Sequence, residues 1–210
     1  MVGGYSINVV AGGNLPQKVA SGFTEVFSTL TGANYEPLAY LGEQIVNGKN
    51  HAILCKQTLI TGQDITNVAL VILNEKPGDM HGETFSVVEI RVLVSDNGKN
   101  LLGTMRIAPT TDIPADAKEV FDKHFGGFLG AKNKAFALLG TNSSIRGGEY
   151  LFAVESEMFI NPNSMASGIK SVNLVTLYGD FDEIKTEPVL IGTAPEGMTF
   201  KVSYSFQWVK

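Results

Sequence analysis

The second half of the chain repeats the first at an offset of 98 residues, and this repeat limits the folds that the chain can adopt. Eight of the 28 positions from 15 to 42 carry the same residue 98 positions later, whereas background residue usage would give about 2. The identical pairs are Pro16 and Pro114, Phe23 and Phe121, Phe27 and Phe125, Gly32 and Gly130, Ala33 and Ala131, Ala39 and Ala137, Leu41 and Leu139, and Gly42 and Gly140. A period of about 100 residues is long enough for each copy to bury its own core. With a turn signal at Asp96-Asn97-Gly98-Lys99, the repeat predicts two similar domains, 1–97 and 98–210.

Each copy has the pattern of one helix followed by antiparallel strands. In the first copy, Asn14-Leu15-Pro16 predicts a helix start with Asn14 as its cap. Apolar residues then follow at helical spacing up to Leu30. Extended apolar segments occupy 38–46, 50–60, 67–73 and 84–94, and Asn47-Gly48 is a strong hairpin turn. We therefore expect an α+β chain in which each copy packs one helix across a curved antiparallel sheet of four strands.

Composition and charge indicate a globular protein and exclude several functions. The chain is 44% hydrophobic and 18% charged, with a formal charge of −5, which is typical of a packed domain. Lys and Arg do not cluster, so we expect no nucleic-acid partner. No apolar run is long enough to span a bilayer, so we expect no membrane association. The N-terminal residues do not form a signal peptide; the expected location is cytoplasmic if the sequence is complete, and secreted or periplasmic if a leader has been removed.

No group of residues has the pattern of a catalytic or metal site. Cys55 is the single cysteine and lies in an alternating strand pattern, so we expect a small buried side chain rather than a nucleophile. The histidines His51, His81 and His124 share no ligand spacing. We therefore expect no metal, no cofactor and no enzymatic activity. An enzyme built on a helix-on-sheet fold would instead require a deep apolar pocket lined by ionisable residues.

The candidate binding surface is the tip of the first hairpin. Gln44-Ile45-Val46-Asn47-Gly48 places two β-branched apolar residues beside a turn that should be exposed, which indicates a partner for them. In an antiparallel meander the N-terminal arm and alternate turns lie at the same end of the sheet. Gly3-Gly4, the tip and Pro77-Gly78 should therefore form one row.

This row resembles the inhibitory wedge of the cystatins, and most closely that of the stefin group. The matching residues are Gly3 and Gly4, Gln44-Ile45-Val46-Asn47-Gly48 (Gln-x-Val-x-Gly), and Pro77-Gly78. The resemblance implies two tandem cystatin-like domains and a reversible, occluding inhibitor of papain-like cysteine proteases. It also implies that the tip and Pro77 fill the primed side of the protease cleft, while the arm before Gly4 occupies the other side. Cystatins form strand-exchanged dimers that open at this hairpin, so a monomer or such a dimer is expected.

The second copy departs from this pattern. Its first hairpin carries Ser143-Ser144-Ile145-Arg146-Gly147, and its second turn, Tyr178-Gly179-Asp180, has no proline. We interpret the second copy as a degenerate, non-inhibitory cystatin-like domain. The alternative function for the whole chain is therefore a tandem protein-binding or scaffold module with no protease target.

Overall fold

The computed structural model describes six ranges of the chain, namely residues 4–61, 64–77, 85–96, 105–127, 130–159 and 168–193. Within them each half provides five strands and one helix. The elements of the first half are β1 (Ser6–Ala11), α1 (Gln17–Phe27), β2 (Ala33–Val46), β3 (Gly48–Ile60), β4 (Asp64–Glu75) and β5 (Phe85–Ser95). Those of the second half are β6 (Arg106–Thr110), α2 (Ala115–Phe125), β7 (Ala131–Asn142), β8 (Glu149–Met158), β9 (Lys170–Tyr178) and β10 (Ile184–Ile191).

The strands form two antiparallel sheets with the same element order. The first sheet runs β1-β2-β3-β4-β5 and the second runs β6-β7-β8-β9-β10. The bulges in β2 recur in β7 at the same offset of 98: the register shifts beside Pro37 and Tyr40 reappear beside Ala135 and Leu138. Bulges bend a strand and increase its twist, so the repeated bulges give both sheets the same curvature.

Each helix covers one face of its own sheet. Val19 and Phe23 of α1 pack against a face that carries Ile53 and Cys55 of β3. The predicted alternation of β3 is confirmed, because the next residues in the strand, Ala52 and Leu54, belong to the opposite face. The helix begins at Gln17 after Pro16 without a side-chain capping bond, so the predicted Asn14 cap is wrong.

The remaining faces of the two sheets pack on each other and form one shared core. Its most completely buried members include Leu41, Leu54, Leu70, Leu139 and Val172. Each such side chain stabilises the fold by about 1.5–3 kcal/mol through burial alone. The order of layers is therefore helix, sheet, sheet, helix.

This architecture corrects the predicted fold class. Strands make up 61% of the described residues, in two five-stranded sheets with two short helices. The expected pair of cystatin-like domains, each with a helix over a four-stranded sheet, is wrong. The physical reason is that both faces of the central strands are apolar, and a sheet covered by a helix on one face alone would leave the other face exposed. The predicted boundary at residues 97 and 98 lies outside the described residues, and the division into two domains stays a prediction.

Three strands were absent from the sequence interpretation. β1 and β6 precede the helices, and each pairs with the long strand after its helix. β10 is an edge strand with a register shift beside Pro188, a position where the missing N–H of proline is tolerated. It occupies the position in the second sheet that β5 has in the first. The segment 199–209, which the sequence repeat matches to 84–94 and therefore predicts to be the last strand, lies outside the described residues.

Candidate functional site

Strand register brings the predicted row to one end of the first sheet. Ser6 pairs with Glu43, which places Gly4 near the β2–β3 hairpin. Lys49 pairs with Glu75, which places Pro77 two residues beyond the same end. We call Gly4, residues 44–48 and Pro77 the tip end. Gly3 and Gly78, which belong to the predicted row, lie outside the described residues.

Exposure differs among the residues of the tip end. The side chain of Ile45 is 62% exposed, the largest value but one among the exposed large hydrophobic residues of the described chain. Asn47 and Pro77 are also exposed, whereas Gln44, Val46 and Gly48 are partly buried. The sequence predicts that Ile45 and Val46 are both exposed at the tip. In the structure Ile45 exposes most of its side chain, whereas Val46 is partly buried.

Gly48, at the hairpin tip, packs against the end of β4. Its φ is +97°, a conformation that glycine adopts far more readily than other residues. A Cβ at this position would lie 2.1 Å from the carbonyl oxygen of Glu75 and 3.2 Å from Lys76 Cα. The tip and the segment that leads to Pro77 are therefore in backbone contact.

A row of polar side chains holds the hairpin in place across three strands. Asn74 Nδ2 donates to Asn50 Oδ1 at 2.8 Å, and Asn50 Nδ2 donates to Gln44 Oε1 at 3.1 Å. Lys49 Nζ lies 3.1 Å from Glu43 Oε2 on the same hairpin. Cross-strand pairs of this kind fix the position of a tip before any partner binds.

Gly4 packs against the second half of the chain. A Cβ on Gly4 would lie 2.9 Å from both Cα and Oγ1 of Thr193. The next residue, Tyr5, forms a parallel bridge with Gly192 and accepts a 3.0 Å hydrogen bond from the Thr193 backbone N–H. Gly4 therefore has a close packing contact within the chain, which no pattern in the sequence indicates.

A buried polar network, missed by the sequence interpretation, lies beneath the tip end. His51 Nδ1 lies 3.0 Å from Tyr40 Oη, and His51 Nε2 lies 3.1 Å from Glu75 Oε2. Because a carboxylate only accepts, Nε2 carries a proton toward Glu75, and Nδ1 is then available to accept from the Tyr40 hydroxyl. Burial, followed by the Glu43 carboxylate, raises the pKa of Tyr40, which keeps this hydroxyl protonated.

Glu75 connects this network to the helix. Lys18 of α1 forms an ion pair with the Glu75 carboxylate. The hydrogen bond from Lys18 and, more weakly, that from His51 lower the pKa of Glu75, against the opposing effect of burial. The network therefore links α1, β3 and the end of β4 through Glu75, the residue that Gly48 contacts.

The equivalent end of the second sheet has the same backbone contact and different chemistry. A Cβ on Gly147 would lie 2.6 Å from the backbone nitrogen of Asp180. Arg146 Nε lies 3.1 Å from Asp180 Oδ2, and Ser144 donates from both its N–H and its hydroxyl to Asn142 Oδ1. Ser144 therefore occupies the position that Ile45 has in the first sheet, and the charged Arg146 occupies that of Asn47.

The cysteine and the two described histidines are buried. Cys55 is completely buried, and this burial raises the pKa of its thiol, so the expectation of a buried side chain is confirmed. His124 is buried at the end of α2, where its two ring nitrogens contact the carbonyl oxygens of Val120 and Phe181. His81 lies outside the described residues.

Neither a metal-ligand group nor a membrane-spanning helix is found in the ranges that the structure describes. In those ranges His, Cys, Asp and Glu side chains form no group of three or more that could hold a metal ion. No described helix combines the length and apolar character needed to cross a membrane. Comparison of the chain with models of protein families, with curated proteins and with solved structures finds no match.

Proposed function

We propose that this protein is a reversible, occluding inhibitor of papain-like cysteine proteases and binds its target through the tip end. The observation that supports the proposal is the exposed Ile45, at the same end of the sheet as Gly4 and Pro77. Transfer of such a side chain from water into a protease cleft is worth about 1.5–3 kcal/mol. The sequence resemblance of residues 44–48 to the cystatin wedge gives the target class.

Inhibition would follow from occupation of the cleft rather than from chemistry. Ile45, Val46 and Asn47, with Pro77 beside them, would fill the primed side, and the chain before Gly4 would occupy the non-primed side. No peptide bond would be presented to the catalytic cysteine of the protease. The complex would dissociate without cleavage of either partner.

The rigidity of the tip end favours this mode of binding. The Asn74–Asn50–Gln44 hydrogen bonds and the contact of Gly48 with Glu75 fix the tip before binding. A surface that is already ordered loses little conformational entropy on association, which raises affinity.

The decisive experiment is a titration of papain with the full chain, with a small fluorogenic peptide as substrate. We expect activity to fall reversibly as the protein reaches micromolar concentration, and intact protein to be recovered afterwards. Papain that stays fully active at a micromolar excess of correctly folded protein would contradict the proposal.

Substitution of Ile45 by Asp tests the contact itself. A carboxylate buried at the centre of the interface without a partner should raise the inhibition constant by roughly 30-fold or more, the effect of a loss of about 2 kcal/mol. The matched control is Ile60→Asp, because Ile60 is 64% exposed and lies at the other end of β3. We expect Val46→Asp to weaken inhibition and Ile60→Asp to leave it unchanged.

Gly4 is a less direct test than Ile45. We expect Gly4→Glu to weaken inhibition, because a side chain near the catalytic cysteine would clash with the protease. The same substitution would also displace Thr193, which lies within 2.9 Å of the added Cβ. A stability measurement on Gly4→Glu must therefore accompany its inhibition constant.

One observation favours the second candidate function, a protein-binding or scaffold module with no protease target. Tyr5 is bonded to Gly192 and Thr193 of the second half, so the start of β1 is held within the chain. In a scaffold protein of this kind, the two halves would act together as a single binding unit. Folded wild-type protein that has no effect on papain would favour this candidate over inhibition.

A further inference from the structure

A small cavity lies in the second half, between the end of α2 and the helix-facing side of the second sheet. Its volume is about 30 Å³. Its described lining includes Phe125 of α2 and five polar residues of the sheet, which are Asn133, Ser156, Ser171, Asn173 and Thr186. It is separate from the tip end and does not depend on the proposed function.

Two polar atoms at this cavity have no protein partner within the described part of the chain. They are the side-chain nitrogen of Asn133 and the hydroxyl oxygen of Thr186, and both are buried. Asn173 Nδ2 donates to Ser156 Oγ and to Ser171 Oγ, at 3.0 Å each, so each serine still has a proton to donate. Buried polar groups are rarely left unpaired, because each one costs about 1–3 kcal/mol.

The first half shows how the same position is filled by side chains. Tyr35, Gln57 and Asn67 are paired across β2, β3 and β4. Asn67 Nδ2 donates to Gln57 Oε1 at 2.7 Å, and Gln57 Nε2 donates to Tyr35 Oη at 2.6 Å. The ring of Phe27 packs against that of Tyr35, with centroids 4.7 Å apart.

Smaller residues take these places in the second half. Asn133 lies 98 positions after Tyr35 and is paired with Ser156, which is paired with Ser171. Phe125, the counterpart of Phe27, therefore faces an asparagine rather than a tyrosine ring. The cavity is lined by these smaller residues, whereas the equivalent residues of the first half carry a ring and longer amides.

We propose that this cavity is a binding site for ordered water. A buried water needs about 10–15 Å³ of such volume and two to four polar partners, so the site accommodates about two molecules. Its described lining carries no charged side chain, which suits a neutral molecule that both donates and accepts. Water would accept from Asn133 Nδ2 and would exchange hydrogen bonds with the Thr186 hydroxyl.

A high-resolution crystal structure of the full chain tests the proposal directly. We expect density for water within hydrogen-bond distance of Asn133 Nδ2 and Thr186 Oγ1. The proposal is overturned if these two side chains rotate onto protein partners and close the cavity, or if the density belongs to a different molecule.

Oxygen-17 magnetic relaxation dispersion tests it in solution by counting long-lived water. Asn133→Tyr restores the residue of the first half and should remove the signal of the cavity water. Lys134→Tyr is the matched control, since it adds the same ring at the next, exposed position and should leave the signal unchanged. An equal signal in wild type and Asn133→Tyr would refute the site.

A second pair of variants guards against misfolding of Asn133→Tyr. Thr186→Val keeps the shape of the side chain and removes its hydroxyl, so it should reduce the signal. Thr186→Ser keeps the hydroxyl and should retain the signal. No difference between these two folded variants would count against the role of Thr186.

Discussion

Gly48 provides the sharpest test of how the tip end is built, because the chain contains a matched control for it. Gly48 has φ +97° and Gly32 has φ +90°, so alanine is strained at both positions. A Cβ on Gly48 would lie 2.1 Å from the Glu75 carbonyl oxygen, whereas a Cβ on Gly32 has no atom within 4 Å. The two substitutions therefore differ in the clash alone.

The magnitudes follow from this comparison. Alanine in a left-handed conformation costs about 1–2 kcal/mol, and this is the expected destabilisation for Gly32→Ala. Gly48→Ala has the same backbone strain and in addition forces β4 away from the tip, for which overpacking adds about 1–3 kcal/mol. The gain from a less flexible unfolded chain, about 0.4–1 kcal/mol, is common to both and cancels.

Urea unfolding followed by circular dichroism measures both free energies of unfolding. We expect Gly48→Ala to be less stable than Gly32→Ala by about 1–3 kcal/mol with the slope on urea unchanged. Equal stability of the two variants would refute the contact between the tip and Glu75, and would leave the Asn74–Asn50–Gln44 hydrogen bonds as the remaining support for a tip that is fixed before binding.

Three further predictions concern the interior of the protein. Because its pKa is lowered, Glu75 stabilises the fold above its ordinary pKa of 4.5, so the difference in unfolding free energy between wild type and Glu75→Gln should be full at about pH 7 and shrink as the pH falls below 4.5. Cys55, buried with a raised pKa, should react with Ellman's reagent only after denaturation; a fast reaction in native protein would contradict its burial. Phe152→Ala should lower the free energy of unfolding by about 3–5 kcal/mol in urea titrations, since Phe152 is fully buried.

Local patterns in the sequence predicted the elements that depend on neighbouring residues. The hairpin at Asn47-Gly48 is confirmed, because its turn signal and the alternation of its strands act within a few residues. The helices lie near their predicted positions and their buried stripes include Phe23 and Phe121. These features require no knowledge of the rest of the chain.

Features that depend on distant residues were not predicted. The shared core joins Leu54 in the first sheet to Leu139 in the second, and only an unbroken apolar run in each central strand hinted that both faces are covered. The bond between Tyr5 and Thr193 spans 188 residues. β10 was not predicted, because the repeat assigns the last strand of the second copy to 199–209; its Pro188, which is disfavoured inside a strand, is tolerated at an edge bulge.

Comparison of the two sheets distinguishes tip residues with a structural role from tip residues with a proposed binding role. Gly48 and Gly147 both touch the backbone of the neighbouring turn, so this contact belongs to the common framework of the two halves. The residues three positions before these glycines differ: Ile45 is exposed and apolar, whereas Ser144 donates hydrogen bonds to Asn142. If the tip end binds a protease, substitution of Gly48 should lower stability and inhibition together, because it displaces the framework. Substitution of Ile45 should lower inhibition alone, since an exposed side chain contributes within about 0.5 kcal/mol to folding.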